Sequence, residues 1–455
     1  MNNHFVLGFF SNSFESFGET FIFSSASKSL KINVKGAPLN LKRKLIVALA
    51  CLVVALVAVT LFIFVNQTSP SMAAYKAQAQ KIFNNAYGAW EQIRNGSLPH
   101  VDLVVVTKQW AIDTWGKGYA QQNLQAIAIQ QNIYQGLFLI PQNQSLYQAD
   151  VDWPGNYVAA TWEGKIYVIK ENFNPWDLPG AEATFVHELT HIWQSGIPSP
   201  TTFDEDKAHT ALIEGDATFM ADTYTNLTKE GIINTVATSS ALNRPSDIIT
   251  MSEAHPDTLS NLDYFPYTQG EIFVNALHEQ GGFVTVNRAY TAGYVPSTTA
   301  QILNPEEYFE NVTAKQVSLP TPTEGNWTQI QTSYGQYYNT YGEYFIEDLL
   351  GNWLPEGQAQ TISAGWRGDN FTYYQGADNN AYLFTWKIQW NSTGTANAFM
   401  TGFQTMAKDN QATNEGSNQW LSNGRYLSIT VDTKTNSTFI ACSTLQEATQ
   451  TNYFT

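Results

Sequence analysis

The chain has 455 residues, a formal net charge of −16, and equal fractions, 14% each, of charged and aromatic residues. This length suffices for two ordinary domains or one large domain with extensions, and the aromatic content allows a substantial core. Because a phosphate-binding surface needs clustered Lys and Arg, the acidic balance excludes nucleic acid as the expected partner.

Leu45–Val65 is an apolar segment whose twenty-one residues contain no charge, with Thr60 as the clearly polar side chain. A helix needs about 20 such residues to cross the hydrocarbon core, whereas a signal peptide has a shorter apolar region nearer its start. Lys42, Arg43 and Lys44 precede the segment and, by the positive-inside bias, place the N-terminus in the cytoplasm. We therefore predict one transmembrane helix, which attaches the chain to the cell membrane and leaves the C-terminal part extracellular; a buried core helix is the alternative.

The part after this segment carries potential N-glycan sites. Nine Asn-x-Ser/Thr sequences occur there, at Asn66, Asn95, Asn143, Asn226, Asn311, Asn326, Asn370, Asn391 and Asn436. Together they are typical of a glycosylated outer surface, so N-glycans are expected. The two cysteines are Cys51, inside the apolar segment, and Cys442, and no disulfide is expected between them.

Hydrophobic periodicity and turn residues predict the elements that follow. In the first part the predicted helices are Met72–Arg94, Lys108–Tyr134 with an interruption near Gly116–Gly118, Ala181–Gln194, Lys207–Tyr224 and Phe265–Gln280. The predicted strands there are Val101–Val106 and the hairpin Tyr157–Thr161 and Lys165–Ile169. Beyond about residue 317 we predict helices Gly342–Leu350 and Thr395–Ala407 and strands Asn370–Tyr374, Tyr382–Trp390, Tyr426–Asp432 and Ser437–Ala441.

The most specific short motif in the sequence is His187-Glu188-Leu189-Thr190-His191. At about 100° per residue, positions i and i+4 differ by about 40°, so both imidazoles leave one face of a helix and can bind one ion. Glu188 lies about 60° from His191, beside the ion, where a carboxylate can take a proton from an activated water. We therefore predict His187 and His191 as zinc ligands and Glu188 as the general base. Two structural histidines on an amphipathic helix are the alternative.

Catalytic zinc takes three protein ligands and leaves a position for water. Glu214 follows His191 by 23 residues, on the next predicted helix after a turn-rich loop. Two antiparallel helices can bring its carboxylate to the ion, so we predict Glu214 as the third ligand; a solvated helix glutamate is the alternative. Gly215 beside it favours a close approach of two helices.

These residues resemble the gluzincin metallopeptidases, whose third ligand is a glutamate on the helix after the HExxH helix. The sequence is also similar to a group of largely uncharacterised exported prokaryotic proteins, with which it shares HELTHxxQ, ALxEGDA, PYxxG…FVxxL…GG and GWxGD. These segments are His187–Gln194, Ala211–Ala217, Pro266–Gly282 and Gly365–Asp369. The resemblance spans about residues 90–406 and implies a zincin fold, one Zn²⁺ per chain and the hydrolysis of a peptide or protein substrate.

The resemblance also suggests further roles. Many gluzincins have an acidic residue four positions after the ligand glutamate, but Thr218 stands there in this chain, where it could accept a hydrogen bond from His187. Tyr267 is a candidate donor to the oxyanion of the tetrahedral intermediate, with core packing as its alternative. The strand before the active-site helix often pairs with extended substrate in such folds, which makes Lys165–Ile169 the candidate. Arg367 and Asp369 are expected to form an ion pair in a structural turn.

The fold class expected is therefore α+β, a zincin-like catalytic domain of mixed sheet and active-site helices with a C-terminal α+β unit, preceded by a transmembrane helix. The expected regions are a cytoplasmic tail 1–44, the transmembrane helix 45–65, a linker 66–74, the metallopeptidase domain 75–316 and the C-terminal region 317–455. The expected function is that of a membrane-anchored extracellular zinc peptidase. A non-catalytic surface or adhesion protein stabilised by zinc is the rival hypothesis.

Overall fold

The computed structural model describes residues 70–232, 257–330 and 339–455 apart from 356, 379 and 417, together with the backbone of three strands before residue 34. The chain divides into two compact units, Met1–Tyr75 and Lys76–Thr455. In the first unit, β1 (Ser16–Phe17), β2 (Thr20–Ser25) and β3 (Lys28–Asn33) form an antiparallel sheet in the order β1-β2-β3.

The predicted fold class is wrong in one element, the transmembrane helix. Within the described ranges, no helix combines the length and the apolar character that crossing a membrane requires. A crossing helix needs about 20 predominantly apolar residues. Helix Met72–Arg94 is long enough but carries charged side chains such as Lys76 and Lys81. Residues 45–65, to which the prediction referred, lie outside the described residues.

The described part of the chain from Met72 onward is α+β. Its helices are α1 (Met72–Arg94), α2 (Lys108–Ala111), α3 (Lys117–Gln122), α4 (Leu124–Gly136), α5 (Leu146–Asp152), α6 (Leu178–Trp193), α7 (Phe203–Lys229), α8 (Asp257–Arg288), α9 (Thr299–Leu303), α10 (Pro305–Phe309), α11 (Gly342–Gly351), α12 (Gln358–Ser363) and α13 (Thr393–Asp409). Its strands are β4 (Asp102–Val106), β5 (Ala159–Trp162), β6 (Lys165–Ile169), β7 (Thr328–Gln329), β8 (Trp366–Gln375), β9 (Tyr382–Trp390), β10 (Thr413–Gly416), β11 (Gln419–Ser422), β12 (Arg425–Asp432) and β13 (Ser437–Ser443). One turn of π-helix, Ile112–Gly116, joins α2 to α3.

Helices α6 and α7 form where the sequence provides clear start signals. Pro179 lies in the first turn of α6, where its missing N–H needs no partner. Thr202 caps α7, since its hydroxyl accepts a hydrogen bond from the backbone N–H of Glu205. The first turn of α7 contains three acidic residues, Asp204, Glu205 and Asp206, the residue type favoured at the positive end of a helix dipole, although burial raises the pKa of Asp204 to about 8.

A small sheet lies beside α6, and its strand order corrects one prediction. The order is β4-β6-β5, with β4 parallel and β5 antiparallel to β6. Strand β6, Lys165–Ile169, is therefore central, and both of its edges already pair with neighbouring strands. It cannot receive an extended peptide, so the prediction that this strand binds substrate is wrong. Strand β5 is the edge strand on the side of α6, and it contacts that helix.

Helices α7 and α8 approach each other backbone to backbone at two glycines. A Cβ atom built on Gly215 would lie 2.1 Å from the carbonyl carbon of Gly270, and one built on Gly270 would lie 2.1 Å from the carbonyl oxygen of Ala211. The close approach expected from Gly215 is thus made with α8. The predicted helix Phe265–Gln280 lies within α8, which begins earlier, at Asp257, leaves helical geometry at Gly281 and Gly282, and then continues to Arg288.

Gly215→Ala is expected to destabilise the protein by about 1–3 kcal/mol or more, because overpacking forces backbone shifts and here the obstructing atoms belong to a backbone. Urea unfolding monitored by circular dichroism would measure the change. Gly88→Ala in α1 is the matched control, since no atom lies within 4 Å of its added Cβ. Equal stability of the two variants would show that α7 and α8 can separate without penalty.

The C-terminal region forms a seven-stranded antiparallel sheet in the order β10-β11-β12-β13-β9-β8-β7. Its largest core cluster combines sheet residues such as Trp386 and Ile440 with Tyr134 and Phe138 from the region of α4 and with Leu259 from α8. Side chains from both sides of residue 316 therefore share one core. The division at residues 316 and 317 into two regions stays a prediction.

Asp369 in β8 is buried in this region, with 3% of its surface exposed. Its Oδ1 accepts hydrogen bonds from the backbone N–H of Gly342 and the indole N–H of Trp366, at 3.1 and 2.9 Å. Its Oδ2 accepts from the backbone N–H of Tyr341 and the indole N–H of Trp386, both at 2.8 Å. Arg367 instead donates to backbone carbonyls. The expected Arg367–Asp369 ion pair is therefore replaced by four N–H donors on one carboxylate.

Candidate metal centre

The structure brings His187, His191 and Glu214 together between α6 and α7. The Nε2 atoms of the two histidines are 3.1 Å apart, and Oε2 of Glu214 lies 3.2 Å from the nitrogen of His187 and 3.4 Å from that of His191. His187 is buried, and the other two side chains are partly buried. The one-turn spacing of the histidines on α6 and the contact of α6 with α7 produce this convergence.

The spacing of these three atoms fits a tetrahedral ion. Ligand atoms at about 2.0–2.1 Å from such an ion lie about 3.3 Å from one another. The observed distances of 3.1, 3.2 and 3.4 Å agree with that value. The approach of the two nitrogens is the most informative, because two imidazole nitrogens attract each other only through a shared proton or a shared cation. Two imidazoles and one carboxylate are also a donor set that zinc accepts.

Electrostatics at the site favour a positive charge near Glu214. Burial alone would lower the pKa of His191, but the charge of Glu214 and its hydrogen bond outweigh burial and raise the pKa to about 9. Burial alone would raise the pKa of Glu214, but the charge of His191 and the hydrogen bond from His187 hold it well below its usual range. The carboxylate is therefore ionised at neutral pH, as a metal ligand must be.

Glu188 lies one residue after His187, and its side chain is 6% exposed. The hydroxyl of Thr161 in β5 donates to Oε2 of Glu188 at 2.7 Å and contacts the Glu188 carbonyl oxygen at 3.0 Å. This bond holds one carboxylate oxygen against the edge strand and leaves the other oxygen to take a proton. Thr161 was not predicted as a site residue, because nothing in its local sequence distinguishes it from other strand threonines.

Two tyrosines lie close to Glu214. The ring of Tyr267 in α8 stacks on that of His187 with centroids 6.0 Å apart and planes 15° from parallel. Burial first, and then the nearby Glu214 charge, raise the pKa of Tyr267 well above its usual range, so its hydroxyl stays protonated and can donate. Burial and the charges of Asp263 and Glu214 likewise raise the pKa of Tyr157. Tyr157 was not predicted, since it precedes a hairpin far from the motif in sequence.

Two buried groups near the site lack partners. Nδ1 of His187 and the hydroxyl of Thr218 have no hydrogen-bond partner within the described part of the chain. The expected bond from His187 to Thr218 is therefore not formed. The orientation of His187 is instead supported by its stacking on Tyr267.

Comparison with known proteins matches one region of the chain. A family model described as a domain of unknown function, DUF8575, matches residues 330–450. No curated protein and no solved structure matches the chain. The matched region contains Asp369 and most of the seven-stranded sheet, whereas the three candidate ligands lie before it. The comparison therefore concerns the C-terminal region, and the function of the candidate metal centre has to be inferred from its own residues.

Proposed function

We propose that the protein is a zinc-dependent peptidase, with His187, His191 and Glu214 as metal ligands and Glu188 as the general base. The observation that carries this proposal is the triangle of two nitrogens and one oxygen with sides of 3.1–3.4 Å. A carboxylate beside this triangle, on the residue after the first ligand, favours a catalytic over a purely structural role.

Zinc bound at these ligands supplies a Lewis acid that polarises a carbonyl oxygen and lowers the pKa of water. Glu188 then accepts the proton of the attacking water and returns it to the leaving amine. Thr161 holds the Glu188 carboxylate in place through its 2.7 Å hydrogen bond. Tyr267 is the proposed donor to the oxyanion, supported by its protonated hydroxyl and its stacking beside His187.

Strand β5 is the part of the site proposed to bind the peptide chain. It is the edge of the β4-β6-β5 sheet, and its Thr161 contacts Glu188 directly. A peptide that adds to this edge would run past the general base, with main-chain hydrogen bonds holding it extended. Ala159–Trp162 therefore replaces Lys165–Ile169 as the candidate substrate strand.

Metal analysis of the purified protein tests this proposal, with wild type compared against Glu214→Ala. We expect one zinc per wild-type chain and loss of stoichiometric zinc in the variant, because two ligands remain where catalytic zinc takes three. Glu230→Ala, an exposed glutamate just beyond the end of α7, is the control and should retain zinc. Wild-type protein that binds no zinc would overturn the proposal.

Cleavage of a broad peptide library then separates the peptidase from a protein that holds zinc for stability. A peptidase loses turnover on chelation and regains it with added zinc. If chelation only lowers the melting temperature and no peptide is cut, the non-catalytic alternative replaces the proposal.

Zinc binding is expected to release about one proton at neutral pH. The pKa of His191 is about 9 in the metal-free site, so its ring is protonated below that pH and the ion must displace the proton. Zinc affinity should therefore rise about tenfold per pH unit from about pH 7 to about pH 8.5. Calorimetry in buffers of different ionisation enthalpy would count the proton. A zinc affinity that is constant over this range would contradict the prediction.

A further inference from the structure

Gln194, one turn after His191, is hydrogen-bonded to the ring nitrogen of His191 that does not face Glu214. Nδ1 of His191 lies 2.8 Å from Oε1 of Gln194, which directly follows the last residue of α6. The amide nitrogen of Gln194 donates to the backbone carbonyl of Ile213 and to the hydroxyl of Tyr290, both at 2.8 Å. Gln194 therefore joins the second histidine to the residue immediately before Glu214 and to a tyrosine beyond α8.

These contacts fix which way the Gln194 amide points. A backbone carbonyl can only accept a hydrogen bond, so the side of the amide that faces Ile213 must be the NH₂ group. The amide oxygen then faces His191 and can only accept, so Nδ1 of His191 must carry a proton. In the neutral ring Nε2 is then unprotonated, and its lone pair points at His187 and Glu214.

A buried ion pair lies next to Tyr290 and determines whether its hydroxyl donates or accepts. The Tyr290 hydroxyl donates to Oδ2 of Asp216 at 2.9 Å. Arg94 binds both oxygens of Asp216, at 2.6 and 2.9 Å, and both side chains are almost completely buried. The Tyr290 hydroxyl also lies 3.2 Å from the backbone carbonyl oxygen of Leu212, a second acceptor for its single proton. With either acceptor the hydroxyl proton points away from Gln194, which leaves the hydroxyl oxygen free to accept from the Gln194 amide.

Packing keeps this pair in place. The Arg94 guanidinium lies over the rings of Trp193 and Phe283, 4.2 and 4.5 Å from their centroids. It also donates to the side-chain oxygen of Asn287 at 2.8 Å. Arg94 ends α1, Trp193 ends α6, and Asp216 lies in α7, so the pair ties three helices together behind the metal site.

We propose that Gln194 is a positioning residue, which holds His191 in the tautomer that presents Nε2 to the metal, and that Tyr290, Asp216 and Arg94 fix the orientation of Gln194. The inference rests on the proposed zinc site and adds to it the residue that orients His191, the second ligand. Gln194 supplies the hydrogen-bond acceptor for Nδ1 of His191, a role that an acidic residue does not fill here. Partners of this kind change metal affinity by about 10–100-fold when removed.

Zinc affinity of three variants tests the proposal, measured on the full chain by competition with a chromogenic chelator. Gln194→Leu keeps the approximate volume but removes the acceptor, and zinc affinity should fall about 10–100-fold. Gln194→Glu keeps an acceptor toward Nδ1 but turns its second oxygen toward the Ile213 carbonyl, so its zinc affinity should lie between those of Gln194→Leu and wild type. Rescue by this variant is an effect that simple loss of packing would not produce.

Thr190→Val is the matched control, since it disturbs the same helix without touching a ligand. Thr190 is fully buried, and its hydroxyl accepts from the indole N–H of Trp90 at 2.9 Å. The control should lower the melting temperature and leave zinc affinity unchanged. In zinc-loaded wild type, the Nδ1 proton of His191 should also give a slowly exchanging resonance in NMR spectra, which Gln194→Leu abolishes.

The outcomes distinguish this inference from the proposed function. If wild type binds zinc and Gln194→Leu binds it equally well, the positioning role is overturned and the zinc site stands. If Gln194→Leu, Gln194→Glu and Thr190→Val all weaken binding alike, the effect is general destabilisation and the inference is again overturned. If wild type binds no zinc, the proposed function itself fails.

Discussion

Glu188→Gln is expected to retain zinc and to reduce peptide cleavage by about 10²–10⁴-fold, the range that a general base contributes. The amide is almost the same size as the carboxylate but cannot accept the proton of the attacking water. The hydrogen bond from Thr161 to Oε2 of Glu188 can be kept by the amide oxygen, so the side chain should stay in place. Steady-state cleavage of a peptide identified in the library, together with zinc analysis, would measure both quantities.

Glu163→Gln provides the matched control for this variant. Glu163 is exposed in the turn between β5 and β6, two residues from Thr161, and should change neither zinc content nor cleavage. Full activity in Glu188→Gln would remove Glu188 from its role as base. Loss of zinc in the same variant would instead place Glu188 among the ligands.

Asp369→Ala is expected to prevent stable folding of the C-terminal region. Four N–H donors, from Tyr341, Gly342, Trp366 and Trp386, would lose their acceptor in a buried site. Each unsatisfied buried donor costs about 1–3 kcal/mol, so the sum approaches the whole stability of an ordinary domain, about 5–15 kcal/mol. Soluble yield and the denaturant midpoint of the full chain would report the loss.

The control for this variant is Asp409→Ala, at the exposed end of α13, which should change the free energy of unfolding by less than about 0.5 kcal/mol. Asp369→Asn is an informative second variant. Its amide oxygen can serve two donors, while its NH₂ group faces the other two, so a destabilisation of intermediate size is expected. A stable Asp369→Ala variant would mean that the four donors find other acceptors.

Local sequence patterns predicted the helices that carry the site. Apolar periodicity placed helices over the ligands of α6 and α7, and the one-turn spacing of His187 and His191 placed both rings on one face. Strand β9 and helix α1 were predicted with the bounds that the structure has. These features depend on residues within one or two turns or one strand of each other, which is the range that periodicity reports.

Features that depend on distant pairs were missed or wrong. The parallel pairing of β4 with β6 makes β6 central, and no local pattern shows it. Arg94 and Asp216 are separated by 122 positions, so their ion pair was not predicted.

Strand β10 was missed because Thr413–Gly416 is polar and exposed along its whole length, which leaves no alternation of apolar and polar residues.

The backbone contact between Gly215 and Gly270 has a consequence for the geometry of the candidate metal centre. Glu214 is adjacent to the first glycine, and Tyr267 lies three residues before the second. Because the two backbones touch at these glycines, α7 and α8 cannot move closer there, and moving them apart would open a gap in a closely packed interior. Main-chain packing therefore holds Glu214 and Tyr267 at a fixed spacing.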